Sequence, residues 1–185
     1  VKIKLVPAVL KEATEVIVRE HYLHRGRTMG QIAYWIEVDE ERSGVILFAL
    51  PRMSATYHGY HPMELIELAR MWLSPSIQGQ LVTGKDGVLH APSIASAAVG
   101  QALRRIRQDW NVKYPGLPLI KACVSWADQE HHEGTIYRAS NFREVGTSGG
   151  TMHGSTTRKN GGKDQLNEDY AHLKTAFLYE YRDSI

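Results

Sequence analysis

The order of patterned segments along the 185 residues predicts an α+β (mixed α/β) fold, with a central mixed, mostly antiparallel sheet flanked by helices. Three observations predict it. QIAYWIEV (31–38) and VILFAL (45–50) are rich in β-branched and aromatic residues and are separated by a polar turn, the signature of an antiparallel hairpin. PSIASAAVGQALRRIRQDW (92–110) carries apolar residues at helical spacing. LIKACVSWAD (119–128) is apolar almost throughout, as expected of a strand buried on both faces. A doubly wound parallel sheet would need a stricter alternation of strand and helix.

Taken in order, KIKLV (2–6) alternates polar and apolar residues and reads as a first strand. Val9, Leu10, Ala13, Val16, Ile17 and Tyr22 then repeat at helical spacing, so residues 8–22 form an amphipathic helix ending near His21-Tyr22. A basic loop, HRGR (24–27), leads into the hairpin, whose expected turn is DEERSG (39–44). Pro51 closes its second strand, and RMSATYHGYHP (52–62) is a polar, aromatic loop. MELIELARMWLS (63–74) has helical propensity, but a strand over 65–73 is expected, with Glu67 and Arg70 emerging from an apolar background. Residues 75–92 read as a Gly-, Pro- and Ser-rich loop.

In the 92–110 helix, Ser93 suits the N-cap. Ile94, Ala98, Val99, Ala102, Leu103 and Ile106 line one face. Tyr114-Pro-Gly-Leu-Pro turns the chain into the buried strand, with Asp128 at its end. HHEGTIYRASN (131–141) is a short helix or helical turn, and FREVG (142–146) the next strand. Residues 147–168 form a basic, Gly-rich flap, and TAFLYEY (175–181) is the last strand. Residues 1–185 are expected to form one domain, since the length suffices for one core and is short for two.

Composition sets bounds on function. The apolar and charged fractions, 43% and 23%, are those of an ordinary globular protein, and a net charge of +2 does not by itself argue for nucleic acid. Cys123 is the only cysteine, so neither an intrachain disulfide nor a cysteine-based metal cluster is available. Its apolar neighbours mark it as a small buried hydrophobe, and the low cysteine usage suits a reducing cytoplasm. No apolar run approaches the roughly 18 residues of a membrane span, and the first ten residues lack a signal-peptide pattern. No membrane partner is expected; a dimer is left open.

Some residues invite chemistry on their own account. Asp128 at a strand end could cap the next helical turn, or accept a proton as a desolvated carboxylate. His21 could be a charge at a helix C-terminus, a base or a metal ligand. His131 and His132 lie close to Asp128 in sequence, but adjacent histidines are not expected to share one cleft. Arg70 on an apolar strand needs a partner, either Glu67 or a bound anion. His24, Arg25 and Arg27, with Arg158, Lys159 and Lys163 in the flap, could reach DNA phosphates or be ordinary solvated charge. Tyr57, Tyr60 and Trp72 are candidates for stacking on a base.

Two blocks carry a family resemblance. ELARMWLS (67–74), followed by SIASAAVGQALRRI (93–106), and then SWADQEHHEGTIYRASNFREVG (125–146), resemble the GNAT acetyltransferase superfamily. The particular wording of the second block, with His21-Tyr22 upstream, resembles the phage Mom-type branch of DNA modification proteins. The resemblance covers roughly His21 to Gly146.

It implies a phage enzyme in the host cytoplasm that converts the exocyclic N6 amine of adenine in double-stranded DNA to a carbamoylmethyl-type product, protecting the DNA from restriction. It also implies acetyl-CoA or a related acyl donor, and iron(II), for which His21 and Asp128 would be ligands. Asp128 would be the base, with His21 and Tyr22 beside it, and Tyr137 the group that protonates a departing thiolate. The superfamily's glycine-rich pyrophosphate loop is replaced here by Ala91-Pro92-Ser93-Ile94-Ala95-Ser96. Amides at that helix start, the Ser93 and Ser96 hydroxyls and Arg70 would then hold the donor's phosphates. The alternative is an N-acetyltransferase acting on a small amine or a protein.

Overall fold

A computed structural model describes residues 1–24, 30–83, 89–148 and 173–182. In chain order the elements are β1 (Ile3–Ala8), α1 (Leu10–Glu20), β2 (Gly30–Val38), β3 (Glu41–Ala49), β4 (Leu65–Leu73), β5 (Leu81–Thr83) and β6 (Leu89–Ser93), then α2 (Ile94–Lys113), β7 (Ala122–Asp128), α3 (Thr135–Ala139), β8 (Arg143–Ser148) and β9 (Lys174–Glu180). Seven strands form one sheet in the order β1-β2-β3-β4-β7-β9-β8. Within it only β4 and β7 pair parallel; the other neighbours are antiparallel. The mixed, mostly antiparallel sheet is the one expected from the order of segments.

The sheet is covered on both faces. On one, Ala13 and Ile17 of α1, four residues apart and therefore on one side of the helix, pack with Ala33, Trp35, Val45 and Leu47. On the other, α2 lays Ile94, Ala98, Val99, Ala102, Leu103, Ile106 and Trp110 against Ile36, Ile46, Phe48, Ile66 and Cys123. Polar bonds fix the position of α2: Arg105 Nη1 donates to the Leu5 carbonyl at 3.0 Å, and Tyr34 Oη donates to Asp109 Oδ2 at 2.7 Å. Among the described residues no helix is long and apolar enough to cross a membrane.

Several expected boundaries are corrected. The β2–β3 turn is two residues, Asp39-Glu40, both at positive φ (49° and 74°), so Glu41 to Gly44 belong to the strand. This is the tight connection whose twist matches paired strands, although neither residue is glycine. Arg42 stays extended with its guanidinium 5.0 Å from the Trp35 ring centre. The 65–73 segment is a strand despite its helical propensity: Leu65 to Leu68 are buried between β3 and β7, and tertiary pairing overrides local preference. The expected 75–92 loop contains the small β5–β6 hairpin. The 131–141 helix shrinks to five residues, and β8 extends through Ser148 into what was expected to be flap. The rest of that segment, from 149 to 168, lies outside the described residues.

Gly44 shows how tightly β3 and β4 approach. A Cβ there would lie 2.5 Å from the Trp72 carbonyl oxygen and 2.6 Å from Leu73 Cδ2. Gly44→Ala is therefore expected to destabilise the protein by about 1–3 kcal/mol, read from the urea midpoint at unchanged slope; an unchanged midpoint would contradict this packing.

Candidate active site where two parallel strands part

β4 and β7 pair only through Leu65–Glu67 and Ala122–Val124. Beyond them β4 continues to Leu73 and β7 to Asp128 with no ladder between them. At the start of this parting, Ser125 Oγ donates to the Leu68 carbonyl at 2.9 Å, so a side chain takes over from the missing backbone bond.

Polar groups gather at the gap from both strands and from α3. Glu67 is 5% exposed and Asp128 3% exposed, so neither carboxylate points into bulk water. Arg70 is half-buried and donates from Nη1 to the Ala69 carbonyl at 2.7 Å. Tyr137 packs its ring 5.0 Å from that of Phe177 and 5.5 Å from that of Phe142. Burial pushes its hydroxyl pKa up; a hydrogen bond with Ser125 opposes this, Cys123 and Glu67 add to it, and Arg70 opposes it. Tyr137 thus keeps its proton amid Glu67, Arg70 and Ser125. The Cys123 thiol is buried and its pKa is pushed up chiefly by that burial, consistent with an inert packing residue.

Gly134 sets the start of α3 and hence the reach of Tyr137. Its φ is +77°, and a Cβ would lie 2.2 Å from Phe177 Cζ. Asn141, just past α3, also has positive φ (64°), while Phe142 beside it is buried.

The end of α1 meets the turn after β7. His21 is 8% exposed, and its Nδ1 accepts from the Leu23 N–H at 3.2 Å. The Tyr22 ring stacks on His21 at 4.4 Å, meets His131 at 4.5 Å and meets His132 edge-on at 5.3 Å. Both adjacent histidines therefore converge on one ring, contrary to expectation. The turn allows it, because the His131 and His132 N–H groups both donate to the Asp128 carbonyl, at 3.0 and 2.7 Å. Asp128 Oδ1 accepts from the Glu130 N–H at 3.1 Å, so the carboxylate does brace this turn. Burial and the neighbouring His131 lower the His132 pKa, partly offset by Asp128.

At the start of α2, Ser93 Oγ accepts from the Ser96 N–H at 3.4 Å, as a cap should. The Ser96 carbonyl accepts from Ser140 Oγ at 3.3 Å, joining this helix start to the end of α3. Alongside lies a cavity of about 280 Å³ lined by Ser96, Gly100, Arg104, Ser140, Asn141 and Tyr179.

Iron on His21 and Asp128 is not supported. Among the described residues no three His, Cys, Asp or Glu side chains converge as a metal site, and both named groups are engaged with backbone N–H donors. His24 is exposed at the end of the described segment. Arg25, Arg27, Arg158, Lys159 and Lys163 lie outside the described residues. Ser125 was overlooked in the sequence; a lone hydroxyl in the apolar run ACVSWA was its only signal.

The fold is that of the GNAT acetyltransferases. A Bacillus subtilis acetyltransferase solved in complex with CoA is 12% identical, with a TM-score of 0.53 over 98% of this chain and 99% of that one. A GNAT family acetyltransferase from Elizabethkingia anophelis with acetyl-CoA bound is 14% identical, with a TM-score of 0.50 over 97% and 98%. RimL, a ribosomal L7/L12 alpha-N-protein acetyltransferase, is 15% identical, with a TM-score of 0.51 over 96% and 92%. Within that fold, the chain belongs to the Mom protein family, whose pattern it matches over residues 2–178. No curated protein matches it in sequence.

Two outcomes are expected from this geometry. Gly134→Ala strains the backbone and strikes Phe177, so it should cost about 1–3 kcal/mol in urea unfolding and shift Tyr137. A native-like midpoint would refute the close approach. A histidine with a lowered folded pKa binds protons more readily when unfolded. Its contribution is complete above the unfolded value of about 6.5 and is lost as pH falls through that value towards the folded one. His132→Gln should therefore flatten the decline of the urea midpoint on acidification from about pH 7.5 to 5.5; an unchanged slope would contradict the depressed pKa.

Proposed function

We propose that the protein is a transferase that alters the exocyclic N6 amine of adenine in DNA by carbamoylmethylation-type chemistry, as protection of phage DNA against restriction. The observations that support this are a chain of the Mom family in which β4 and β7 part, a Tyr137 hydroxyl that burial keeps protonated among Ser125, Glu67 and Arg70, and a buried carboxylate, Asp128, at the end of β7.

The roles follow from the environments. Adenine's amine must lose a proton as its nitrogen gains a bond to carbon. The Asp128 carboxylate is the acceptor, with Oδ1 steadied by the Glu130 N–H. Tyr137 Oη holds a proton in a dry position, ready for a departing sulfur. His21 and Tyr22 wall the approach from α1. An acetyl-CoA-like thioester fits the opposite side. The dipole at the start of a helix attracts phosphate, and the start of α2 carries Ser93 and Ser96 beside a cavity lined in part by Arg104 and Asn141. Arg70 adds a cation near the gap. When bound, the thioester would supply an activated acyl carbon, whose transfer with loss of the thiolate gives an N6-acyl adenine. A carbamoylmethyl product would instead join N6 to the methyl carbon and would need an ammonia- or amine-class nitrogen donor and a two-electron oxidant as co-reactants. Arg25, Arg27, Arg158, Lys159 and Lys163 are assigned to DNA phosphates, which makes binding salt-dependent without fixing sequence.

Co-expression with a plasmid, digestion to nucleosides and mass spectrometry test the proposal. A modified deoxyadenosine is expected; an acetyl and a carbamoylmethyl product differ in mass, because the latter carries an extra nitrogen. Asp128→Asn should cut modification by about 100-fold or more, and Tyr137→Phe by about 10- to 100-fold. Unmodified plasmid together with acetyl transfer to a small amine or a protein would replace the proposal with an ordinary N-acetyltransferase. An Asp128→Ala variant as active as the parent would remove the base.

A further inference from the structure

The three stacking candidates of the sequence have packing and supporting roles. Trp72 packs with the α1 cluster, and Tyr57 covers the cluster of Leu65, Ala122, Val124 and Leu178. Tyr60 Oη donates to Glu180 Oε1 at 2.7 Å, anchoring a tight turn in which Tyr57 and Tyr60 exchange backbone bonds of 3.0 Å.

Trp126 is placed differently. It is half-buried and belongs to none of the three apolar clusters. Side chains alternate along β7, so Trp126 lies between Val124 and Asp128 on the face away from α2. The preceding row on that face, Val124 opposite Leu178, is covered by Tyr57 and Tyr60. In the row of Trp126 itself stand Ala176 of β9 and then Gly146 of β8. Neither has the bulk to cover an indole, and a Cβ at Gly146 would meet nothing within 4 Å. On the other side of β7, β4 has already left the ladder. Among the described residues the one ring in contact with Trp126 is Tyr57, at 6.0 Å between centres and tilted by 49°, so the two are not stacked face to face. Core packing therefore does not account for a ring of this size at this position.

We propose that the indole of Trp126 is the surface on which an extruded adenine stacks, with its amine turned towards Asp128. This rests on the DNA-modification reading and deepens it. An enzyme acting on a base amine within a duplex must take the base out of the stack, and an aromatic ring replaces the contacts that are lost. Asp128 follows two residues later on the same face, about 7 Å along the strand. That spacing suits the reach from the middle of an adenine to a group hydrogen-bonded to its amine. The small side chains at Ala176 and Gly146 leave room beside the indole for the width of a purine. The Tyr57 turn closes the end of this shelf farther from Asp128.

The probe is a short single-stranded oligonucleotide carrying one 2-aminopurine, an adenine analogue whose emission falls when it stacks on an aromatic ring, titrated with the full chain. The parent protein should quench the emission saturably. Trp126→Leu should weaken this binding by about 5- to 100-fold, the range for loss of one base–aromatic stack. Trp126→Phe should retain the quench, and both variants should melt close to the parent, since the indole belongs to no core cluster. A backbone with abasic sites in place of bases should bind the parent and Trp126→Leu alike. A second measurement needs no variant: an 8-azidoadenine at the same position, irradiated in complex with the parent, should attach within residues 122–128. Absence of quenching by the parent, equal binding by a folded Trp126→Leu, or attachment only elsewhere overturns the proposal. Such a result beside a modified plasmid leaves the enzymatic reading intact, whereas Trp126-dependent quenching beside an unmodified plasmid upholds base stacking and removes only the chemistry.

Discussion

The site depends on two parallel strands that stay together for three residues and then separate. β4 and β7 form the one parallel pair in the seven-stranded sheet. β4 is also irregular where they part: against β3, Leu47 and Phe48 stand opposite Arg70 and Leu68, so Ala69 is an inserted residue. A bulge of this kind bends its strand and increases its twist. Bending β4 away opens the gap and leaves its backbone short of partners, which is where the Ser125 hydroxyl bonds to the Leu68 carbonyl. Buried carboxylates and a buried tyrosine hydroxyl are costly to place in such a cleft. An apolar filling would be the more stable choice, so retaining Glu67, Arg70, Asp128 and Tyr137 there is hard to explain by stability alone.

The parts of the fold visible in the sequence were those governed by periodicity. α2 announces itself through Ile94, Ala98, Ala102 and Ile106, and β7 through a nearly continuous apolar run, because α2 buries one face and β7 almost all of its residues. β4 was ambiguous because ELIELARMWL satisfies helix propensity; only its place between β3 and β7 decides the matter. The Asp39-Glu40 turn was overestimated because charged residues look like loop, yet Glu41 and Arg42 are simply the exposed end of a strand. The β5–β6 hairpin was missed for a similar reason, its short strands being set in a Gly-rich stretch.

Site legibility divided differently. Asp128 and Tyr137 stood out by position and resemblance; the structure buries Asp128 and, of the half-buried Tyr137, the hydroxyl. Glu67 was seen only as a partner for Arg70, since burial of a carboxylate is invisible until the strand's neighbours are known. The convergence of His131 and His132 on Tyr22 could not be read locally: it depends on a turn held by the Asp128 carbonyl and on where α1 ends, more than a hundred residues upstream. For the iron ligands His21 and Asp128, no third His, Cys, Asp or Glu side chain joins them among the described residues, and sequence proximity could not say whether one would.

Strand alternation carries the last step. Along β7, Cys123 and Ala127 face the α2 cluster, whereas Ala122 and Val124 join the cluster on the opposite face. The pairing of β7 with β9 is regular to its end, so Asp128 shares the face of Ala122 and Val124, away from α2. Ser125 shares the α2 face, from which Tyr137 descends on α3 to hydrogen-bond with it. Arg70, opposite Leu47, belongs to the α1 face, yet its charge is felt by the Tyr137 hydroxyl. The gap therefore connects the two faces of the sheet. On the proposed reading, a donor moored at the start of α2 and an amine presented near Asp128 and Tyr22 approach from opposite sides, and an intact β4–β7 ladder would keep them apart. A sheet that remained fully paired could hold every one of these side chains and still bring no two reactants together.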